Sequence, residues 1–313
     1  MDFGKLASAE LKDVDFTLPA DGRQTLNILS SAPAKDPAFY VGCAKWGRKE
    51  WVGMIYPPKT KEANFLDEYV KHFNSIELNA VFYSIPKPEL IRKWREKADQ
   101  SGQTDFLFFP KFSRTISHIK RLKNAGEATD QFLKSIYEFG PYLGPCFLQL
   151  GDNFGPNNMD VLQAYLESLP LDLRVFVEVR HPAWFADPDA NRQLFAMLSD
   201  LKKGAAITDA SGRRDCLHME VTVPQTFVRF VGNGSEHQES DFRRIDDWVQ
   251  RIKIWMEGGL SEVYFFLHQH DEKDTPILAD YTIKQFNLHL NARIPEIRFL
   301  GGSDNSGQSN LFT

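Results

Sequence analysis

Glu77, Glu178 and Asp209, together with Lys111, Arg180 and Arg229, are the residue types needed to bind an anion and move a proton on it. Lys and Arg hold phosphate or carboxylate through charge-assisted hydrogen bonds, and a carboxylate beside them serves as general acid or base. Two roles are open to such a set: an anion-binding pocket, or interlocked ion pairs that neutralise one another's buried charge. The same carboxylates with His118, His181, His268 and His270 also contain donors that suit zinc, manganese or iron, so a divalent metal is another occupant to weigh. Against it, no tight ligand motif such as H-E-x-x-H is present, and Lys111 and Arg180 would compete for the carboxylates. No cofactor is expected. Trp46, Trp51, Phe82, Tyr83 and Trp184 fall just beyond apolar runs, where they either form a wall that stacks on a ring or plug a core. Cys43 ends one such run, and burial as a small apolar residue is the commoner use of a thiol there. A serine triad is unsupported, because no G-x-S-x-G occurs.

The elements that must position these residues are short apolar runs at Phe39 to Cys43, Ser75 to Asn79, Phe106 to Lys111, Pro145 to Leu150, Arg174 to Arg180, Gly204 to Asp209, Thr226 to Val231 and Glu262 to His268. Helical periodicity fills the gaps at Lys61 to His72, Lys87 to Ala98, Glu127 to Gly140, Asn158 to Ser168, Asp189 to Leu201, Ser240 to Glu257 and Thr275 to Leu290. Only the gap from Ala210 to Gln225 lacks a helix. Alternating strands and helices predict an α/β fold, a single (β/α)8 TIM barrel with a degenerate sixth unit. A doubly wound open sheet is the weaker alternative, since no glycine-rich phosphate loop follows any strand. In Arg174 to Arg180 the valines Val175, Val177 and Val179 suit the helix-facing side, which turns Phe176, Glu178 and Arg180 into the lumen. The same alternation places Glu77, Asn79, Lys111, Gln149, Asp209, Arg229, His268 and His270 at the carboxyl ends of the strands, the face where such barrels build their sites.

The 313 residues carry 42% hydrophobic side chains, enough for a large core, and a net charge of −5. That balance gives no support for a membrane surface or for extended nucleic-acid contact. Three cysteines without C-x-x-C spacing, and no apolar stretch of signal or membrane-spanning length, predict a soluble cytoplasmic protein. Residues 1–38 read as an extension that packs loosely or caps something, 39–300 as the barrel, and 301–313 as a disordered, flexible tail.

The segments VGCAKWGRKEWVGMIYPP, SIELNAVFYSIP, FLFFPKFSRTISHIKRL, LGPCFLQL, VFVEVRHPAWF, ITD and TFVRFVGNG resemble, in that order, the YecE-like family, a group of unknown function with a TIM-barrel fold. The resemblance implies the fold and no reaction. It singles out Gly42, Trp46, Trp51, Tyr56, Pro57, Glu77, Asn79, Phe82, Tyr83, Lys111, Thr115, His118, Gln149, Glu178, Arg180, His181, Trp184, Asp209 and Arg229. For His118, which follows the third strand, the resemblance raises a proton-carrying role above the ordinary surface use of a lone histidine. Two departures stand out: Cys43 and Ala44 replace the family's Thr-Ser, and His268, Gln269 and His270 stand where it ends on Asn-Asn. The expected reading is an enzyme of unspecified reaction. Lys111, Arg180 and Arg229 bind a small anionic ligand, Glu178, Asp209, His118 and Glu77 are the catalytic candidates, with Glu77 also orienting the ligand, and Asn79, Gln149, Trp46, Tyr83 and His181 complete the binding site. The alternative rests on Gln308, Leu311 and Phe312, a Q-x-x-L-F pattern similar to the peptide that docks replication proteins on the DNA sliding clamp.

Overall fold

In the computed structural model, which describes residues 4–103 and 105–301, each apolar run becomes a strand: β1 Ala38–Cys43, β2 Ser75–Leu78, β3 Leu107–Pro110, β4 Cys146–Gln149, β5 Val175–Glu178, β6 Gly204–Asp209, β7 Gln225–Gly232 and β8 Glu262–Gln269. Nearly every strand residue is buried, so the runs lack surface alternation and suit parallel pairing covered on both faces. All pairings are parallel, in the order β3-β2-β1-β8-β7-β6-β5-β4. The two ends of that order meet through the bridges Phe108 to Leu143 and Lys111 to Phe147, with Phe112 N–H donating to Phe147 O at 2.9 Å. The sheet is thus a nearly closed TIM-like barrel.

The helices are α1 Ser8–Leu11, α2 Arg23–Ile28, α3 Phe65–Tyr69, α4 Ala80–Tyr83, α5 Pro88–Gln100, α6 Gly126–Ile136, α7 Met159–Glu167, α8 Ala183–Ala186, α9 Pro188–Asp200, α10 Gln238–Glu257 and α11 Thr275–Leu290. Local chemistry sets their ends. Asp187 caps α9 by accepting from the N–H groups of Asp189 and Ala190, with Pro188 in the first turn, and α11 stops where Asn291 turns left-handed. None of the described helices is long and apolar enough to cross a membrane.

The lumen is layered. Its floor is an apolar cluster of Phe109, Phe147, Phe176, Ala206, Phe227, Tyr264 and Phe266, with rings such as Phe109 and Phe266 at 4.9 Å in edge contact. The floor dictates glycine at Gly204, where a Cβ would lie 2.2 Å from the Phe176 ring. At Gly42 a Cβ would meet the Ser75 carbonyl at 2.2 Å, so the pairing of β1 with β2 there needs a residue without a side chain.

The sixth unit has a short 3-10 turn, Ser211–Cys216, and no outer helix. The N-terminal segment takes that place. Helix α2 packs against α9 on one side, while Asp21 accepts from Arg251 at 2.7 Å and Trp255 at 3.0 Å of α10 on the other. Helix α2 lacks a side-chain cap of its own. Glu220 supplies one by accepting from Gln24 N–H at 2.8 Å, and Thr25 links the carbonyl of Met219 to the N–H of Val221. The segment thus stands in for the missing helix with one borrowed from an earlier part of the chain.

Candidate functional site

Above the aromatic floor, the next lumen-facing positions are charged because each strand's alternation brings a polar residue to its carboxyl end. Glu77, Lys111, Gln149, Glu178, Arg229 and His268 are all buried there. Arg229, fully buried, lies at the centre. Its Nε and Nη2 donate to the two oxygens of Glu77 at 2.7 and 2.8 Å, and Nη1 donates to Glu178 at 2.7 Å. Asn79 donates to Glu77 at 2.8 Å, and His268 Nε2 lies 3.0 Å from the other Glu77 oxygen. Arg180, just past the end of β5, donates from Nε to the second oxygen of Glu178 at 2.6 Å. Burial alone would raise both glutamates. The charges of Arg229 and His268 outweigh it at Glu77 and hold that carboxyl well below its usual range, and Arg180, Arg229 and Lys111 hold Glu178 at about 2.

These contacts revise two expectations. Arg229 does not reach an external anion, since all three of its nitrogens serve buried carboxylates. Glu77 and Glu178 are fixed as carboxylates with their oxygens engaged, which suits positioning and not proton transfer near neutral pH.

Lys111 is built differently. Its ammonium donates to the neutral Gln149 amide oxygen at 2.6 Å and lies 4.2 Å from the centre of the Phe82 ring and 5.6 Å from that of Phe147. Among the described residues it makes no ion pair, although it is only 6% exposed. Burial lowers its pKa, the charge of Arg229 lowers it further, and Glu178 and Glu77 oppose both, leaving it at about 7. The Phe82 ring that supports Lys111 meets His118 edge-on at 5.1 Å and Tyr83 at 5.1 Å. Tyr83 is 70% exposed, which makes it the open rim of this aromatic wall.

His118 sits on a single π-helical turn, Thr115–Ile119, just after β3. Such turns bulge a helix and re-aim a side chain. Ser117 Oγ lies 3.1 Å from Ser113 O and 2.8 Å from His118 Nδ1. With the hydroxyl proton given to Ser113, Nδ1–H donates to Ser117 and Nε2 remains basic. Burial, then Lys111, Arg180 and Arg114, lower the His118 pKa, so the ring is neutral at pH 7. Arg114 and Ser117 were not singled out in sequence, because a π turn leaves no distinctive spacing there.

Other expected residues are placed elsewhere. Asp209 is a correction. The lumen side of β6 is Gly204, Ala206 and Thr208, so Asp209 faces the helices, where it accepts from Arg244 at 2.8 Å and Trp248 at 2.8 Å and pairs with Arg214. Trp46 packs its ring on Trp94 of α5, while Trp51 and Trp184 are fully buried and donate to the carbonyls of Glu272 and Phe154. His181 turns toward the α8 start, its Nδ1 accepting from Ala183 N–H at 3.1 Å. His270 lines a cleft of about 280 Å³ with Lys5, Ser8, His237 and Asp274. Cys43 is buried, and burial pushes its thiol well above the ordinary range, which removes it as a nucleophile. Among the described residues no group of three His, Cys, Asp or Glu is disposed to hold a metal ion. Gln308, Leu311 and Phe312 lie outside the described residues.

With this geometry in place, comparisons with known proteins are informative. A family model for a protein of unknown function, DUF72, matches residues 40–298, the barrel without the preceding segment. The UPF0759 protein YecE of Escherichia coli (strain K12) is 30% identical over 277 residues, covering 83% of this chain and 95% of that protein. The UPF0759 protein YunF of Bacillus subtilis (strain 168) is 36% identical over 65 residues, 21% of this chain and 22% of its own. In three dimensions the chain is similar to the crystal structure of a DUF72 family protein from Enterococcus faecalis V583, with TM-score 0.64, 20% identity and coverage of 81% of this chain and 99% of that one. A DUF72 family protein from Thermotoga maritima MSB8 gives TM-score 0.62 at 21% identity, covering 80% and 99%. At these identities the solved structures speak for the fold alone.

Proposed function

Because the chain belongs to the DUF72 family, whose description carries no reaction, we propose a function from the mouth itself: it binds a small carboxylate or phosphate and moves protons on it. One observation carries this reading. Two buried carboxylates, Glu77 and Glu178, are matched by the two guanidiniums of Arg229 and Arg180, and among the described residues the amine of Lys111 is left with the Gln149 amide and the Phe82 and Phe147 rings and no carboxylate of its own. A buried cation without a counter-ion is costly, and an anionic ligand supplies what is missing. Arg180, partly exposed at the strand end, and Tyr83 at the rim are the further contacts for such a ligand. Lys111, at about 7, is suited to exchange protons near neutral pH, and His118, whose pKa burial lowers so that the ring is neutral, can accept one, while Glu178 holds Arg180 in place. A cytoplasmic setting goes with this reading, and the buried free thiols Cys43, Cys146 and Cys216 are in keeping with it.

The test is a thermal-shift and calorimetric titration with phosphate, malonate and related small anions. Wild type should be stabilised in proportion to ligand concentration, and Lys111→Met should bind at least about tenfold more weakly. Equal binding by the two proteins defeats the assignment.

A second reading draws on the Gln308, Leu311 and Phe312 pattern: recruitment to a DNA sliding clamp. Deleting 308–313 should then abolish binding to purified clamp while leaving anion affinity intact. Clamp binding that survives the deletion, or that never occurs in the full chain, ends it.

A further inference from the structure

We infer that Lys111 forms a covalent imine with a small aldehyde or ketone that also bears a carboxylate or phosphate, so that an oxo-anion is the ligand class of the mouth. This rests on the anion-site reading and adds a bond to it. The geometry singles out this amine. It sits at the carboxyl end of a barrel strand, donates to Gln149 Oε1 at 2.6 Å, and is flanked by the faces of Phe82 and Phe147. Both guanidiniums nearby are paired with Glu178, and Arg229 also with Glu77, so among the described residues neither carboxylate forms an ion pair with the Lys111 nitrogen itself. Such surroundings favour a neutral amine, which keeps its lone pair while donating one N–H to Gln149. An ammonium clamped by a carboxylate would lack that lone pair. The Arg180 guanidinium stands at the mouth for the anionic end of the molecule, and His118 shares the Phe82 ring with Lys111.

The step balances without an oxidant or reductant. The Nζ lone pair bonds to the carbonyl carbon, the C=O π pair moves to oxygen, and a proton leaving nitrogen reaches that oxygen with His118 as carrier. A second proton transfer releases the oxygen as water, and the nitrogen lone pair completes the C=N bond. Imine and water are the products.

Full-length protein should be incubated with pyruvate, with glycolaldehyde phosphate, or with acetone as the uncharged control, then treated with borohydride and mapped by peptide mass spectrometry. The expected result is one dominant adduct on Lys111, with the mass of the probe less water plus dihydrogen. It should form at least about tenfold faster with either charged probe than with acetone. Trapping should slow about tenfold for each pH unit below about 7, as the amine becomes protonated. Lys111→Arg should give no adduct at this position, and an unchanged circular dichroism spectrum and cooperative thermal unfolding show that the variant folds. Adducts scattered over surface lysines, or none on Lys111, overturn the imine while phosphate binding by wild type keeps the anion site. Equal trapping of acetone overturns the oxo-anion class. If phosphate and malonate bind neither wild type nor Lys111→Arg, the anion site fails, and the inferred ligand class falls with it.

Discussion

Two buried charge networks stand within the same barrel, one inside the lumen and one between β6 and α10, and they differ in a single respect. Outside, Asp209 and Asp241 are matched by Arg244 and Arg214, with Trp248 and Asn233 donating to the remaining carboxylate oxygens. Phe16 of the N-terminal segment stacks near both guanidiniums, and its carbonyl accepts from Arg214 at 3.0 Å. Every charge there has an opposite neighbour, and the whole ties three distant pieces of chain together. Inside, the carboxylates and guanidiniums also match, but Lys111 remains. Burial and strand-end position are common to the two networks, so neither marks a site by itself. The unmatched amine does.

The comparison breaks most visibly at Arg229. Arg229→Met would remove the guanidinium that Glu77 and Glu178 share, leaving Glu77 only Asn79 and His268 among the described residues and Glu178 paired with Arg180, and urea unfolding should show a loss of about 3–5 kcal/mol. Asp209→Ala takes from Arg244 one of its two carboxylate partners and from the Trp248 N–H its acceptor, and should cost about 2–4 kcal/mol, yet phosphate affinity of the folded fraction should be unchanged. If Asp209→Ala abolishes anion binding, the two networks are not separate. Lys111→Met should do the reverse: about tenfold weaker anion binding, equivalent to about 1.4 kcal/mol, with stability at neutral pH retained. The pH dependence sharpens the contrast. The folded pKa of Lys111, about 7, lies below its ordinary 10.5, so the unfolded chain holds more protons between those values and this group's contribution to stability rises with pH across that window. Subtracting the Lys111→Met unfolding curve from wild type should therefore give a positive slope from about pH 7 to 10.5; a flat difference would mean that the amine is not desolvated. Glu178 works in the opposite range. Its folded pKa of about 2, below the usual 4.5, gives stability that is complete above 4.5 and lost as pH falls toward 2. The smallest effect is expected at Asp21. Asp21→Ala removes two hydrogen bonds between the N-terminal segment and α10 and should cost about 1 kcal/mol in thermal unfolding, with no change at the mouth.

The strands were legible because each is a short apolar run between turn-forming residues, and the lumen ring was legible wherever large and polar residues alternate, as in Phe176 and Glu178 against Val175 and Val177. The reading failed at β6 for a physical reason. Gly204, Ala205 and Ala206 are all small, so this strand carries no alternation of large and small residues that would fix which way Asp209 turns, and its place at the strand end and in the family pattern does not decide it. Spacing also cannot say which carboxylate a guanidinium will take, and Arg229 was therefore counted as a ligand contact when its partners are Glu77 and Glu178. The cation left over at Lys111 emerges only after those pairs are drawn. The role of the N-terminal segment was illegible for a further reason: its hydrogen-bonding partners lie about two hundred positions away, beyond the reach of any local pattern.

That separation has a consequence in time. Gln24 is translated 196 residues before Glu220, and Asp21 234 residues before Trp255. At about 5–20 residues per second, the segment waits roughly 10 to 50 seconds on the ribosome before its berth exists. Throughout that interval an early piece of the chain has yet to meet these partners. Docking of residues 21–25 therefore cannot precede the synthesis of α10, the helix of the seventh unit, so the segment is a latch whose catch is made late in the chain.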